Sequence, residues 1–445
     1  SLVAPASPVP SPRVPAGEQR RPPPPAMRSF LRPAGRLLRR AQAAEVRPGR
    51  AFATNTYEAE LGTGRTVNLS AGAAALPLEV LEKAQKEFVS WRGQAISVTE
   101  MGYRTQNFYD VLDEAEERFR KLMSIPDNYE VHFFNGGATL QFAAIPMNLL
   151  GQSGHWRTTH YKTANYVRNG HWSEKARDEA RMYCHVNETN LDPEDLYFTV
   201  PDAKDWDIDP KGRYLHYTAA DTRQGFEFQE FPFDAVPEGM PVCCDASANL
   251  GSRPIDVSKY GVLYAAAHKN FSTSGVCYTI IRKDLISPDV LPGTPTMCNW
   301  HRFSTAPNKI WTVPVTFSMW MGQLVMEWML ERGGLPYFED LAIRRSRLLY
   351  DLVDNSGGFY RCFVNDMRFR SRMHCVFTIR SGVGKDEELV QKFLSETAEL
   401  GWLDVRSHPL GIPSDAIRIT MYNPQPYETI VKVRDFMADF QKRHQ

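Results

Sequence analysis

The spacing of apolar residues divides the chain into helical and extended segments from about residue 67 onward. Segments 77–91 and 107–123 carry apolar side chains at intervals of three and four residues, which is the period of a helix with one buried face. We therefore predict two amphipathic helices at the start of the globular part. The buried stripe of the second helix consists of Val111, Leu112, Ala115, Phe119 and Leu122.

Short runs of β-branched and aromatic residues follow these helices, and such runs predict strands. They lie at 129–134, 214–218, 240–244, 261–266 and 277–281. Helical or irregular segments separate several of the runs, as crossover connections between parallel strands require. The pattern predicts the α/β class, with a doubly wound, mostly parallel or mixed sheet in a large domain.

The last third of the chain has its own pattern of strands and helices. A long apolar helix predicted over 317–330 is followed by the sequence Glu-Arg-Gly-Gly, which is a helix stop signal. Beyond it, strands are predicted at 375–379 and 417–422, and helices at 386–399 and 428–443. We predict three parts: an N-terminal segment 1–66, a large α/β domain 67–333 whose first residues cross to the small domain, and a smaller α+β domain 334–445.

The N-terminal segment has a composition unlike the rest of the chain. Residues 1–26 are rich in proline and cannot hold a helix or bury a core. In 27–47, arginines surround an apolar helical face, and no acidic residue occurs before Glu45. This pattern is typical of an organelle presequence, and an ordinary basic tail on a cytoplasmic protein is the alternative. Because Ser and Thr are sparse, we favour the mitochondrial matrix over a plastid. Removal of such a presequence predicts that the mature protein starts between about residues 51 and 67.

Composition excludes several classes of protein. A hydrophobic content of 42% and an aromatic content of 11% are too high for a wholly disordered chain. No run of about 18 apolar residues predicts a membrane span. Residues 1–66 hold 11 Arg against 4 Glu, which leaves 41 basic and 48 acidic residues in the remainder and argues against a broad nucleic-acid surface. Seven scattered cysteines without a CxxC pair predict reduced thiols, and no metal site is expected.

Three sites at predicted strand ends carry candidate chemistry. The turn Gly136–Thr139 lies between a strand and a helix-forming segment, where backbone N–H groups can bind a phosphate. Asp245 ends the strand 240–244, and Lys269 follows the next one. Taken singly, each is more often an ordinary turn or surface charge. Together they suit pyridoxal 5'-phosphate (PLP), with Lys269 forming the Schiff base and Asp245 holding the pyridinium proton.

Several segments resemble the phosphoserine aminotransferases, class V aminotransferases of PLP fold type I. They are VNLSAGAAALPLEVLEKAQKEF, IPDNYEVHFFNGGATLQFAAIPMNLL, GHWSEKARDEA, DASANLGSRPIDVSKYGVLYAAAHKN and MYNPQP, in the family's order and spacing. The resemblance implies a homodimer that interconverts 3-phosphohydroxypyruvate plus glutamate and O-phosphoserine plus 2-oxoglutarate. It makes Lys269 the proton carrier and Asp245 the partner of the ring nitrogen. It also assigns Gly137, Ala138, Ser247 and His268 to the cofactor phosphate, Trp172 to the face of the ring and Thr222 to its 3′-oxygen. Thr312 is assigned to the cofactor phosphate of the neighbouring subunit.

On the substrate side, the resemblance implies that Arg104, His408 and Arg418 bind the anionic groups, but the chain departs from the family nearby. Tyr103 stands where the family has histidine, and Pro409 stands where it has an arginine that helps to bind the substrate phosphate. Trp311 replaces an asparagine expected to reach the neighbouring subunit's cofactor, and His268 replaces a glutamine. Loss of one arginine paired with a dianion lowers affinity by about tenfold to a hundredfold.

These departures leave two alternatives open. The chain retains PLP chemistry but uses another substrate, or it is a non-catalytic structural subunit that kept the scaffold. The presence of Lys269, Asp245, Trp172 and Thr222 opposes the second alternative.

Overall fold

The computed structural model describes residues 65–151, 162–189, 200, 202–380, 387–405 and 416–445. The predicted presequence 27–47 therefore lies outside the described residues. The helices are α1 (Leu78–Glu87), α2 (Gln106–Met123), α3 (Thr139–Leu149), α4 (His171–Ala180), α5 (Trp300–Ser304), α6 (Thr316–Glu331), α7 (Leu335–Asp354), α8 (Glu387–Glu399) and α9 (Tyr427–His444).

The strands form two main sheets and one short hairpin. They are β1 (Tyr129–Asn135), β2 (Thr163–Tyr166), β3 (His185–Glu188), β4 (Leu215–Thr218), β5 (Ala220–Asp221), β6 (Phe226–Glu227), β7 (Val242–Asp245), β8 (Val262–Ala266), β9 (Val276–Arg282), β10 (Tyr360–Cys362), β11 (His374–Ile379) and β12 (Ile417–Thr420).

The large sheet has seven strands in the order β1-β9-β8-β7-β4-β2-β3. Pairing is parallel from β8 to β3, and β9 is antiparallel to both of its neighbours. Six strands consequently run in one direction, and their carboxyl ends meet at a single edge of the sheet. The predicted α/β class with a mostly parallel sheet is confirmed.

Helix α2 forms where the apolar pattern predicted a helix. The Thr105 hydroxyl accepts a hydrogen bond from the backbone N–H of Phe108 at the helix start, and Ser124 ends the helix in a left-handed conformation. All five residues of the predicted stripe are buried. Helix α2 packs against α6, whose residues are buried around most of its circumference. No helix in the described ranges is long and apolar enough to cross a membrane.

The smaller sheet is antiparallel, in the order β10-β11-β12, and α7, α8 and α9 pack on or beside it. The first described residues also belong to this region. Asn68 forms a parallel bridge with Leu403, and Val67 and Leu69 lie in the hydrophobic core of the small sheet. The described part of the chain thus starts at the small sheet and then enters the large one.

Some elements were not predicted. Strands β2 and β3 have only four residues each, partly polar, so they lack the alternation that marks a longer strand. Helix α7 was missed although its buried positions follow helical spacing, because Arg345 lies inside the buried stripe. Its Nη1 donates hydrogen bonds to the carbonyl oxygens of Tyr422 and Gln425, whereas Nε and Nη2 have no hydrogen-bond partner among the described residues, so an element from elsewhere in the chain satisfies part of this buried cation.

Candidate active site

Asp245 and Lys269 lie at the same edge of the large sheet. Asp245 is the last residue of β7, and Lys269 follows the end of the neighbouring parallel strand β8 by three residues. Both side chains are buried. The strand ends β4 and β2 bring Thr222 and Trp172 to this edge as well, so the fold assembles four of the predicted residues.

The Asp245 carboxylate is held by Ser247. Its Oδ1 accepts a hydrogen bond from the backbone N–H of Ser247 at 2.9 Å and one from the hydroxyl at 2.6 Å. The same hydroxyl accepts from the backbone N–H of Ala266, which joins β7 to β8. Burial raises the pKa of Asp245, and the bonds from Ser247 and the charge of Lys269 oppose that rise. Ser247 was predicted to bind phosphate, but here its hydroxyl is directed at Asp245.

The Lys269 amine makes no ion pair with another described residue, but the charges of Asp245, Asp221 and Arg418 act on it. Burial lowers its pKa, and the negative charges of Asp245 and Asp221 act against that shift. Its Nζ lies 5.9 Å from the centroid of the Trp172 ring. A buried amine whose ammonium form is destabilised is a nucleophile and a proton acceptor near neutral pH.

Trp172 is fixed by two hydrogen bonds at the start of α4. Its backbone N–H donates to Asp221 Oδ2 at 3.0 Å, and its indole N–H donates to the Thr222 hydroxyl at 3.2 Å. A planar aromatic ring is thereby held beside Lys269, where it can cover a flat cofactor. Trp172 and Thr222, which the resemblance assigns separately to the cofactor, thus contact each other, and Asp221 also contacts Trp172.

The predicted phosphate turn lies at the same edge, after β1. A Cβ atom at Gly136 or Gly137 would have no heavy atom within 4 Å, so both glycines face open space, and Gly136 has a φ of +103°. Helix α3 follows with Ala138 at its N-cap and no side-chain hydrogen bond there. The N–H groups of Leu140 and Gln141 donate to the carbonyl oxygens of Gly137 and Ala138, whereas those of Ala138 and Thr139 have no acceptor among the described residues and can bind an anion.

His268 packs against Gly72 and Ala74, near the start of the described residues. Its ring lies so close to Gly72 that a Cβ there would be 2.8 Å from the ring, and its carbonyl accepts from the Ala74 N–H. Burial lowers the pKa of His268 to about 4, with the Lys269 charge adding to the shift. A neutral His268 can donate one ring N–H, which is consistent with the predicted role at the phosphate.

Arg418, one of the residues that the resemblance assigns to the substrate, lies at this site. It lies on β12, its Nη1 donates to the Thr222 carbonyl at 3.2 Å, and its Nη2 is 3.5 Å from Asp404. Its Nε is buried and has no hydrogen-bond partner among the described residues. Burial lowers the pKa of Arg418, and the Asp404 charge opposes the shift.

Two predicted residues lie apart from this cluster. Arg104 is exposed and stacks on Tyr103, with its guanidinium carbon 5.3 Å from the ring centroid. Thr312 is half-buried between Trp311 and Val313, which are 47% and 61% exposed. Both predictions stay untested, because the resemblance assigns Thr312 to a neighbouring subunit's site. His408 and Pro409 lie outside the described residues.

Sequence reasoning missed Asp221 and His374. Asp221 is fully buried and accepts three backbone hydrogen bonds. The signal was its place in a Thr-Arg-Gln-Gly turn just after the predicted strand 214–218. His374 lies on β11, with Nε2 3.1 Å from the hydroxyl of Tyr422, and Arg418 and Lys269 contribute to lowering its pKa after burial. No local pattern indicated His374.

No cluster of three or more His, Cys, Asp or Glu in the described ranges is arranged to hold a metal ion. This edge of the large sheet holds one amine, two buried carboxylates, an indole and an arginine.

Comparisons with known proteins agree with this arrangement. The model of the aminotransferase class-V family matches residues 66–400. The phosphoserine aminotransferase of Nitrosomonas europaea is 38% identical over 383 residues, which cover 85% of this chain and 98% of that protein. The structure of phosphoserine aminotransferase from Bacillus circulans subsp. alkalophilus is 35% identical, with a TM-score of 0.78 over 86% of this chain and 99% of that one. A PLP-bound phosphoserine aminotransferase from Trichomonas vaginalis is 32% identical, with a TM-score of 0.75 over 84% of this chain and 100% of that one.

Proposed function

The chain belongs to the class-V aminotransferases and, within them, to the phosphoserine aminotransferase family, and from this premise we propose that it transfers the amino group of glutamate to 3-phosphohydroxypyruvate. The products are O-phosphoserine and 2-oxoglutarate, so the proposed role is in serine biosynthesis. PLP is the proposed cofactor.

One observation carries the proposal: a buried amine and a buried carboxylate meet at one sheet edge beside a fixed indole. Hydrogen bonds from described residues reach only Oδ1 of Asp245, so Oδ2 remains able to bind a ring N–H. Gly136 and Gly137 leave room for a phosphate at the start of α3. These residues fit PLP, because each of its functional groups has a complementary partner.

PLP, when bound, supplies an electron-withdrawing ring that makes the substrate Cα–H acidic. Asp245 holds a proton at the ring nitrogen, and Ser247 keeps this carboxylate ionised and oriented. Trp172 covers the ring and excludes water from one face. The N–H groups of Ala138 and Thr139, at the start of α3, would bind the phosphate.

Lys269 moves the proton. Because burial lowers its pKa, Nζ gives up its proton more readily than an exposed lysine does, and the uncharged Nζ accepts the proton from the substrate Cα. Arg418 binds the substrate carboxylate, since its buried Nε still lacks a partner. We keep Arg104 as a second carboxylate clamp, as the resemblance implies, and assign the phosphate of the substrate to His408, with Pro409 contributing no charge.

An absorbance titration of the purified protein tests this function. The protein should be yellow, lose the visible band on borohydride reduction and yield a peptide modified at Lys269. Adding O-phosphoserine should change the band, and adding 2-oxoglutarate should restore it. A yellow protein that reacts only with another amino acid would refute the substrate, and a protein that cannot be reconstituted with PLP would refute the chemistry.

We also propose a homodimer in which Thr312 contributes to the neighbouring site. The exposed apolar side chains of Trp311 and Val313 flank Thr312, and large apolar groups of this kind are typical of contact surfaces. Sedimentation equilibrium should find a dimer at micromolar concentration. A stable monomer with full transaminase activity would contradict the assignment.

Finally, we propose that 27–47 directs the protein to mitochondria. The Arg-rich, acid-poor helical pattern supports this, as does the separate acidic character of the body. N-terminal sequencing of the native protein should find this segment removed. Import into isolated plastids but not mitochondria, or an intact N-terminus in cytosol, would overturn the proposal.

A further inference from the structure

Asp221 is a second buried carboxylate at the site, and none of the roles assigned above uses it. We propose that Asp221 is a positioning residue that fixes Trp172 and the Thr222 turn together, and so links the ring-covering indole to the substrate arginine Arg418. This inference rests on the proposed function, because it concerns the same cofactor site.

The two oxygens of Asp221 have separate partners. Oδ1 accepts from the backbone N–H groups of Arg223 at 2.8 Å and Gln224 at 3.4 Å, which closes the turn after β5. Oδ2 accepts from the backbone N–H of Trp172 at 3.0 Å, at the start of α4. One carboxylate therefore joins the β5 turn to the helix that carries the indole.

Gly170 lies so close to Asp221 Oδ2 that a side chain at residue 170 would overlap the carboxylate. A Cβ built on Gly170 would be 2.6 Å from Asp221 Oδ2, and Gly170 has a φ of +151°. Only glycine lets α4 approach the carboxylate this closely without strain. The chain thus has two independent features, Asp221 and Gly170, that produce the same contact.

Thr222 extends the link to the substrate side. Its hydroxyl accepts from the Trp172 indole at 3.2 Å, and its carbonyl accepts from Arg418 Nη1 at 3.2 Å. Moving the Asp221 turn would therefore displace the indole and the guanidinium together. A variant in which this turn is displaced should therefore bind both the cofactor and the substrate more weakly.

Asp221 also acts electrostatically on Lys269. It and Asp245 are the negative charges that favour the ammonium form, whereas Arg418 disfavours it. Removing the Asp221 charge should therefore favour the neutral amine at lower pH. The other titratable groups facing this amine are the two histidines with lowered pKa values, His268 and His374.

The variant Asp221→Asn tests the link. One amide oxygen can retain the turn, but the amide N–H₂ then faces the Trp172 N–H, so two donors meet. Gly170→Ala disturbs the same contact from the other side. Asp256→Asn is the matched control: Asp256 accepts from the Ser258 backbone N–H at 3.0 Å in a similar but exposed turn, far along the chain from Trp172.

Three quantities are measured on the full chain: the PLP dissociation constant by absorbance titration, KM against kcat for glutamate, and the pH midpoint of Lys269 acetylation in cofactor-free protein by peptide mass spectrometry. For Asp221→Asn we expect the PLP dissociation constant to rise by about tenfold or more and the KM for glutamate to rise. The pH midpoint of Lys269 acetylation should move to lower pH. Gly170→Ala should reproduce the weaker PLP binding. Asp256→Asn should match the wild type in all three.

The proposal is overturned if Asp221→Asn binds PLP as tightly as Asp256→Asn, or if it only lowers the melting temperature while the acetylation midpoint stays fixed. Failure of the proposed function has a different signature, since the wild type itself would then not bind PLP. The acetylation midpoint would still report whether Asp221 acts on Lys269.

Discussion

Ser247→Ala should separate the role of Ser247 at Asp245 from that of an ordinary turn serine. Its hydroxyl donates to Asp245 Oδ1 at 2.6 Å and accepts from the backbone N–H of Ala266 at 3.0 Å, and all three groups are buried. The chain offers a matched control in Ser258, whose hydroxyl donates to Asp256 Oδ1 at 2.5 Å in an exposed turn with the same two-residue spacing.

The magnitude follows from burial. Loss of a hydrogen bond to a buried charge costs about 1.5–3 kcal/mol, and leaving a buried N–H unpaired costs about 1–3 kcal/mol more. Ser247→Ala should therefore lower the free energy of unfolding by about 3 kcal/mol or more. Water replaces the lost partner in the exposed turn, so Ser258→Ala should cost less than about 1 kcal/mol.

The cost of Ser247→Ala should also depend on pH. Burial holds the pKa of Asp245 above its unfolded value of 3.8, so the folded protein binds more protons and loses stability as pH rises above that value. The bonds from Ser247 lower this pKa, so removing the hydroxyl raises it further. The stability difference between variant and wild type should consequently grow from about pH 3 toward neutrality.

Urea denaturation of the cofactor-free protein at several pH values provides the assay. The acid limb of the kcat/KM profile should move to higher pH in the same variant, because Asp245 must be ionised to hold the ring proton. Equal costs for Ser247→Ala and Ser258→Ala, or a cost that shrinks as pH rises, would refute the reasoning.

Three further predictions follow from the site and the core. Lys269→Ala should abolish transamination while the protein remains folded; turnover above the uncatalysed rate would contradict its role as proton carrier. Pro409→Arg should tighten O-phosphoserine binding by about tenfold or more in an absorbance titration, and unchanged binding would show that residue 409 does not face the substrate phosphate. Gly322→Ala should destabilise the protein by about 1–3 kcal/mol despite the helix preference for alanine, because the added Cβ would overlap the hydroxyl of Tyr278; Tyr278→Phe should recover part of the loss in thermal unfolding.

Local sequence patterns predicted most elements that place the site. The strand runs 240–244 and 261–266 correspond to β7 and β8, and the residues that follow them are Asp245 and Lys269. Parallel strands place their carboxyl ends at one edge of the sheet, so the sequence alone indicated that these two side chains lie at the same edge. Trp172 and Thr222 came from the family resemblance, since nothing in their own surroundings marks them.

The buried polar residues Arg345 and His374 escaped prediction because their partners are distant in the chain. Arg345 lies in the buried stripe of α7, where the carbonyl oxygens of Tyr422 and Gln425 accept hydrogen bonds from its Nη1. His374 is buried beside Tyr422 for the same kind of reason. A sequence window contains the buried polar group but not the acceptor that makes its burial tolerable.

The sequence by itself determined the α/β class, the strands that carry chemistry, and the amine and carboxylate of the site. These follow from apolar periodicity and from the rule that parallel strands share a carboxyl edge. Only the tertiary structure decided that Ser247 serves Asp245, that Asp221 joins Trp172 to the Thr222 turn, and that Arg418 lies beside them. Those contacts join segments up to 196 residues apart. Hydrogen-bond geometry between such segments is set by how the two sheets and their helices pack, and the spacing within any one segment does not contain it.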